Sequence, residues 1–146
     1  MTTGGDERVC AKGRKLAVTY IDTPDRRALD LTEAGLCEVP VLGFSRYRHA
    51  VTPVGTHRHA GCLEIGLCLR GALTLLNNSR EHRIMPGDLY LNKPSDIHCI
   101  SASPKGTIVY WLLIREPQRG QPFLRLKSRE AQDIWSRLNR LPCHVI

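Results

Sequence analysis

Several common signals are missing from this chain of 146 residues. Aromatic side chains make up only 5 % of it. No apolar run is long enough for a transmembrane helix. The polar start, Met1 to Arg8, lacks the apolar centre of a signal peptide, so a cytoplasmic protein is expected. Acidic residues are scarce beside basic ones, 14 against 21, giving a net charge of +7 and a pI near 9.4. Yet the basic residues stand in ones and twos. Their single loose cluster, Arg8, Lys12, Arg14 and Lys15, has no interleaved aromatics on which bases could stack, so it reads as a solvated surface rather than a nucleic-acid stripe. The six cysteines (Cys10, Cys37, Cys62, Cys68, Cys99, Cys143) form no C-x2-C pair and no compact framework, and reduced, mostly buried thiols are expected. The length suits one domain with a core of its own.

What is present is a rhythm of short apolar or alternating runs, broken every eight to twelve residues or so by Pro, Gly, Asn or Asp, the mark of an antiparallel sandwich or barrel. Strands are expected at Lys15 to Asp22, Val41 to Tyr47, Thr56 to Arg58, Leu63 to Leu69, Ala72 to Leu76, Glu81 to Met85, Leu89 to Asn92, Cys99 to Ala102 and Thr107 to Ile114. Thr23-Pro24-Asp25 reads as a turn, and Leu29 to Gly35 as a frayed helical turn or a loop. Asn77-Asn78-Ser79 and Pro86-Gly87-Asp88 read as tight turns. Cys62 to Leu69 is apolar on both parities, so both faces of that strand need cover, from the N-terminal segment, a C-terminal helix or a second copy. Helical periodicity appears only near the end: Ser128 suits an N-cap for Arg129 to Arg140, with Ala131, Ile134, Trp135 and Leu138 on one stripe. That stripe suits either the chain's own barrel or a partner.

The chemical information lies in His57, His59 and Glu64, joined later by His98. Two imidazoles one residue apart share a strand face, with Cα atoms about 6.5 Å apart, so both can lean toward one ion. The Ala60 to Leu63 spacer allows a turn that returns Glu64 to the same centre from a neighbouring strand, and His98 supplies a fourth ligand. Three nitrogens and one carboxylate suit zinc, iron, manganese, nickel or copper; the alternative is no ion, with the histidines as hydrogen-bonded core residues or direct contacts to a bound molecule. No further catalytic acid or base stands out, since His49 and His82 lie among charged residues. Cys62 and Cys99 near the ligands read as packing, and of Tyr110 and Trp111 at most one can face the interior.

His57-x-His59-x4-Glu64-x6-Gly71, with Pro86-Gly87-Asp88 and Pro94-x3-His98, resembles the two motifs of the cupin superfamily across residues 36 to 117. It departs from them at Val51, where a glycine is usual, and at Ala102, where an asparagine is often found. Residues 83 to 98, then Ile108 to Leu112 and the closing helix, look like the sensor domain of AraC-type transcription regulators. The resemblance implies an all-β cupin jelly roll, a double-stranded β-helix, spanning 36 to 117. An N-terminal arm and lead-in would occupy 1 to 35, and a linker with the start of a helical dimerisation region 118 to 146. It further implies a homodimer with a small effector, a sugar being one class, bound in the barrel around His57, His59, Glu64 and His98. DNA would be contacted only through a helix-turn-helix module that this chain, stopping at Cys143-His144-Val145-Ile146, does not include. The alternative reading is a free-standing metallo-cupin enzyme, a dioxygenase or isomerase.

Overall fold

Alternation of side chains in and out is what builds the fold. A computed structural model describes residues 22–32, 34–48, 55–120 and 123–145. Along β2 (Val41–Arg46) the odd positions Val41, Gly43 and Ser45 are buried and the even ones are not. In β3 (Cys62–Arg70) the even positions from Cys62 to Cys68 are buried, with Leu63 beside them, and in β8 (Ile108–Arg115) Val109 and Leu113 are buried. These strands lie with β2, β6 (Leu89–Asn92), β1 (Arg26–Asp30) and β9 (His144–Val145) in a six-stranded sheet ordered β1-β2-β8-β3-β6-β9. A three-stranded sheet, β5 (Arg80–Ile84), β4 (Leu73–Asn77) and β7 (His98–Ala102), provides the second layer. All the strand pairs are antiparallel. This is the mostly β, two-sheet architecture expected of a jelly roll, with one short helix, α1 (Ser128–Leu138).

Register across the larger sheet sets an alternation of glycine and aromatic residues. Gly43 pairs with Trp111, Trp111 with Gly66, and Gly66 with Tyr90. Each ring lies over the neighbouring glycine. A Cβ on Gly43 would fall 1.9 Å from the Trp111 ring, and one on Gly66 would fall 2.0 Å from the Tyr90 ring. Two large rings therefore fit between the sheets only because two strands have no side chain beneath them.

The outer face of β3 is covered by the chain itself around Leu63 and Ile65, while Leu69 stays 54 % exposed. Trp135, 9 % exposed, packs with Leu63 and Leu91, and Ile65, Ile114, Leu138 and Val145 close around them. The helical stripe thus serves its own barrel, although Ile134 remains 43 % exposed. Gln132 ties α1 to the preceding loop through Nε2–H to the Pro117 carbonyl, 2.7 Å.

Several local expectations are corrected. The cap of α1 is Lys127, whose N–H donates to the Glu130 carboxylate at 2.9 Å; Ser128 Oγ instead accepts from Gly120 N–H. Thr56 to Arg58 forms one bridge, His57 with His98, rather than a strand. Arg26–Asp30 is a strand that overlaps the expected loop, because β2 offers it a pairing edge. Cys62, Cys68, Cys99 and Cys143 are free, but Cys37 is disulfide-bonded. Disulfide partners are chosen by Cα separation in the fold, which spacing along the chain does not report. The strand expected at Lys15 to Asp22, the basic cluster and His49 fall wholly or almost wholly outside the described residues. No helix among the described residues is long and apolar enough to cross a membrane.

Because Trp135 fills a site on its own sheet, Trp135→Ala should lower the unfolding free energy by about 3 to 5 kcal/mol. Urea denaturation would show this as a lower midpoint. An unchanged midpoint would contradict the packing of α1 on β3 and β6.

Candidate functional site

His57 and His98 face each other across two backbone hydrogen bonds, His57 N–H to the His98 carbonyl at 3.0 Å and the reverse at 2.9 Å. The segment before β3 therefore runs beside β7, and His59, two residues on, points the same way. A turn at Ala60-Gly61, closed by Cys62 N–H to the His59 carbonyl, carries the chain to the larger sheet. There β3 sends Glu64 inward, 7 % exposed. Three imidazoles thus arrive from one side of the sandwich and one carboxylate from the other. The four expected residues are brought together, one donor atom from each lying within 4.8 Å of all the others. Ligands at metal bond lengths near 2.0 to 2.2 Å stand roughly 3 to 4 Å apart, so a small adjustment would seat one divalent ion.

Ring orientation favours that use. His57 Nδ1 lies 2.7 Å from the Gly55 carbonyl, and His98 Nδ1 lies 3.1 Å from the Asp96 carbonyl. A carbonyl only accepts, so each Nδ1 carries a proton and each Nε2 points at the centre; that of His98 carries the proton it donates to Glu64, which a bound ion would displace. Burial pushes the His57 pKa down, with the neighbouring imidazoles adding to it, so its Nε2 keeps a lone pair at neutral pH. Burial acts the same way on His98, but the hydrogen bond and charge of Glu64 outweigh it and raise its pKa.

Glu64 is the hub. Its Oε2 accepts from His59 Nε2 at 3.0 Å and His98 Nε2 at 3.2 Å, while Oε1 accepts from the Tyr90 hydroxyl at 3.2 Å. Burial alone would raise its pKa. The two histidine hydrogen bonds overturn that and hold the carboxyl well below the usual range. Tyr90 is driven the other way, first by burial and then by the Glu64 charge, so it stays protonated as a donor. Burial likewise pushes the Cys62 thiol up, which fits packing rather than reactivity.

In front of the cluster lies a cavity of about 60 Å³, bordered by Arg26, Ser45, Tyr47 and Trp111 on or next to strands of the larger sheet and by Leu75 and Ile100 of the smaller one. Trp111 faces it, while Tyr110 points outward and packs at a tilt against Phe44 with ring centroids 5.2 Å apart. His82, on β5 between Glu81 and Arg83, is not part of the cluster.

Residues 41–139, from β2 through α1, match the model of the AraC-like ligand binding domain. The chain belongs to that family. Solved structures agree on the fold: a predicted oxalate decarboxylase from Thermotoga maritima is 21% identical, with a TM-score of 0.55 over 62% of this chain and 78% of that one. A cupin protein from Bacteroides fragilis is 15% identical, with a TM-score of 0.53 over 75% and 92%. No curated protein matches the sequence.

Within this AraC-like domain, sequence reasoning missed Tyr90, Arg26 and the polar support under His98. Asp96 provides that support. Its Oδ2 accepts from Lys93 N–H at 2.8 Å and Asn77 Nδ2 at 3.1 Å, and its Oδ1 from Asn78 Nδ2 at 2.8 Å. Asn77 also donates to Asn92 Oδ1 at 2.9 Å, linking the turn before β7 to the strand opposite Glu64. The clue in the sequence was an aspartate two residues before His98 together with asparagines in the β4–β5 hairpin, polar residues in otherwise apolar strands.

Burial would raise the Asp96 pKa, but these donors outweigh it and lower it. Its stabilising contribution is therefore present above the unfolded carboxyl value, near 3.9, and fades as pH falls through the lower folded value. Asp96→Asn should cost about 1 to 3 kcal/mol at pH 7. That gap from wild type should narrow below about pH 4. Urea unfolding at both pH values checks this, and a gap that persists in acid would contradict it.

Proposed function

We propose that this domain is the effector-sensing and dimerisation half of a cytoplasmic AraC-type transcription regulator. Its pocket would take a small molecule, and a helix-turn-helix module elsewhere in the regulator would contact DNA. The family match implies a ligand-binding role. The observation that carries the sensing reading is the placement of α1. Leu63 and Ile65, which pack with Trp135, flank Glu64 on the same strand and point to the opposite face. A ligand that shifts Glu64 therefore acts on the strand against which the helix rests. The helix responds only to the extent that the ligand favours one arrangement over another.

We further propose that His57, His59, Glu64 and His98 hold one divalent ion, zinc, iron, manganese, nickel or copper. The fit rests on the donor set and on the Nδ1 bonds that aim two Nε2 atoms inward. Such an ion would supply Lewis acidity. The chain's own residues do the rest: Tyr90 orients Glu64, the Gly55 and Asp96 carbonyls fix two rings, and Trp111 of the larger sheet with Leu75 and Ile100 of the smaller one gives the cavity its apolar lining.

A metallo-cupin enzyme, a dioxygenase or isomerase, is the second reading, favoured by the open cavity beside the cluster. It lacks a proton-transfer group. Outside the four clustered residues, the titratable groups lining the cavity are Arg26, Tyr47 and Tyr90, and burial raises both tyrosine pKa values. A sugar effector meets a different limit: about 60 Å³ is less than half of a roughly 150 Å³ cavity that holds benzene, so a sugar would protrude into solvent.

A thermal-shift screen followed by mass spectrometry of the recovered ligand tests the function. A stabilising molecule should return chemically unchanged and should slow amide exchange in α1 and β9. Conversion of that molecule would overturn the sensor reading in favour of the enzyme.

A further inference from the structure

β1 sends Arg26, Ala28 and Asp30 toward the interior and leaves Arg27 and Leu29 exposed. Arg26 pairs in register with Ser45, and both border the cavity. Two neighbouring arginines have partners. Arg27 meets Asp22, and Arg48 meets Asp25. The backbone of Arg26 is bonded to Thr23, but its guanidinium has no ion pair or hydrogen bond among the described residues. It lies close enough to Tyr47 for its charge to favour the ionised phenol, although burial prevails there.

A guanidinium partly withdrawn from water and lacking a counterion among the described residues is costly, and its planar fork matches a carboxylate in shape and charge. An inward charge can also discourage edge-to-edge pairing of an outer strand, but that role does not call for a position beside a cavity. The remaining lining points the same way. Glu64, the one acidic residue bordering the cavity, is already engaged by three donors. Ser45, Tyr47 and Tyr90 bring hydroxyls, and among the described residues no Asn, Gln or Asp lines the space. A polyhydroxylated neutral ligand would find few free acceptors. An anion finds a cation, and the Glu64 charge it also meets is offset by the His59 and His98 donors.

We propose that the effector is a small organic carboxylate. Arg26 holds its carboxylate group, and its remaining atoms lie along Leu75, Ile100 and Trp111 in front of the histidine cluster. This rests on the effector-binding reading. The modest cavity volume limits the molecule to a few heavy atoms unless it reaches past the opening.

The probes are acetate, malonate, glycerol and glucose, titrated calorimetrically into the chain as purified, with metal content and urea stability measured for every variant. At least one of the two carboxylates should bind and neither neutral probe should. Arg26→Ala should weaken carboxylate binding about tenfold or more, and Arg26→Lys should weaken it less, with metal content unchanged in both. The lysine variant keeps the test decisive if the alanine variant folds poorly. Equal carboxylate affinity in folded Arg26→Ala, or binding of neither carboxylate, would overturn the proposal. A neutral probe that binds and returns unaltered would also remove the carboxylate while leaving the effector reading intact. A carboxylate that binds through Arg26 and is consumed would do the opposite, keeping the anion site and removing the sensor.

Discussion

The carboxylate of Glu64 is the interaction on which the arrangement depends. A charged group buried between two sheets is tolerated only when its oxygens are engaged, and losing a partner of a buried pair costs about 3 to 5 kcal/mol. Both oxygens are engaged here, by His59, His98 and Tyr90. Those partners come from the pre-β3 segment, from β7 and from β6, so one carboxylate ties the two sheets together at the open end of the sandwich. Tyr90 reaches it only because Gly66 leaves room for the ring, and His98 is aimed at it only because the Asp96 carbonyl holds Nδ1.

That strand has a second face. While Glu64 looks into the cavity, Leu63 and Ile65 meet Trp135 and its neighbours on the outside. At the C-terminal end, β9 pairs with β6 and His144 Nε2 contacts Asp88 Oδ2 at 2.7 Å, next to the turn that begins β6. The helical and C-terminal segments are thus packed against the two strands that carry Glu64 and Tyr90. An effector domain needs such continuity between pocket and exterior, and it is made of ordinary packed side chains and one polar contact.

The cluster was legible in the sequence because strand geometry is strict. An i,i+2 histidine pair must share a face, and a spacer with glycine can turn, so His57, His59 and Glu64 could be brought together before any coordinates, with His98 added by its motif. The alternating strands from β2 to β8 were equally readable, within a residue or two at their ends. Other features depend on pairing that no local pattern records. Arg26-Arg27-Ala28-Leu29-Asp30 has little apolar character and becomes a strand because β2 presents an edge, which hid the arginine that borders the cavity. Tyr90 and Asp96 act through partners as many as 26 residues away. β9, two residues long, is below the length at which periodicity exists. The helix stripe was visible, but the surface that buries it was not. Amphipathicity demands cover without saying whose, and here it is the chain's own sheet.

X-ray absorption spectroscopy of the metal-loaded chain tests the central claim most directly. The account predicts three imidazole nitrogens and one carboxylate oxygen around a single ion at about 2.0 to 2.2 Å, with loss of one imidazole in His98→Ala. Sulfur ligation near 2.3 Å, or a first shell unchanged by that substitution, would contradict it.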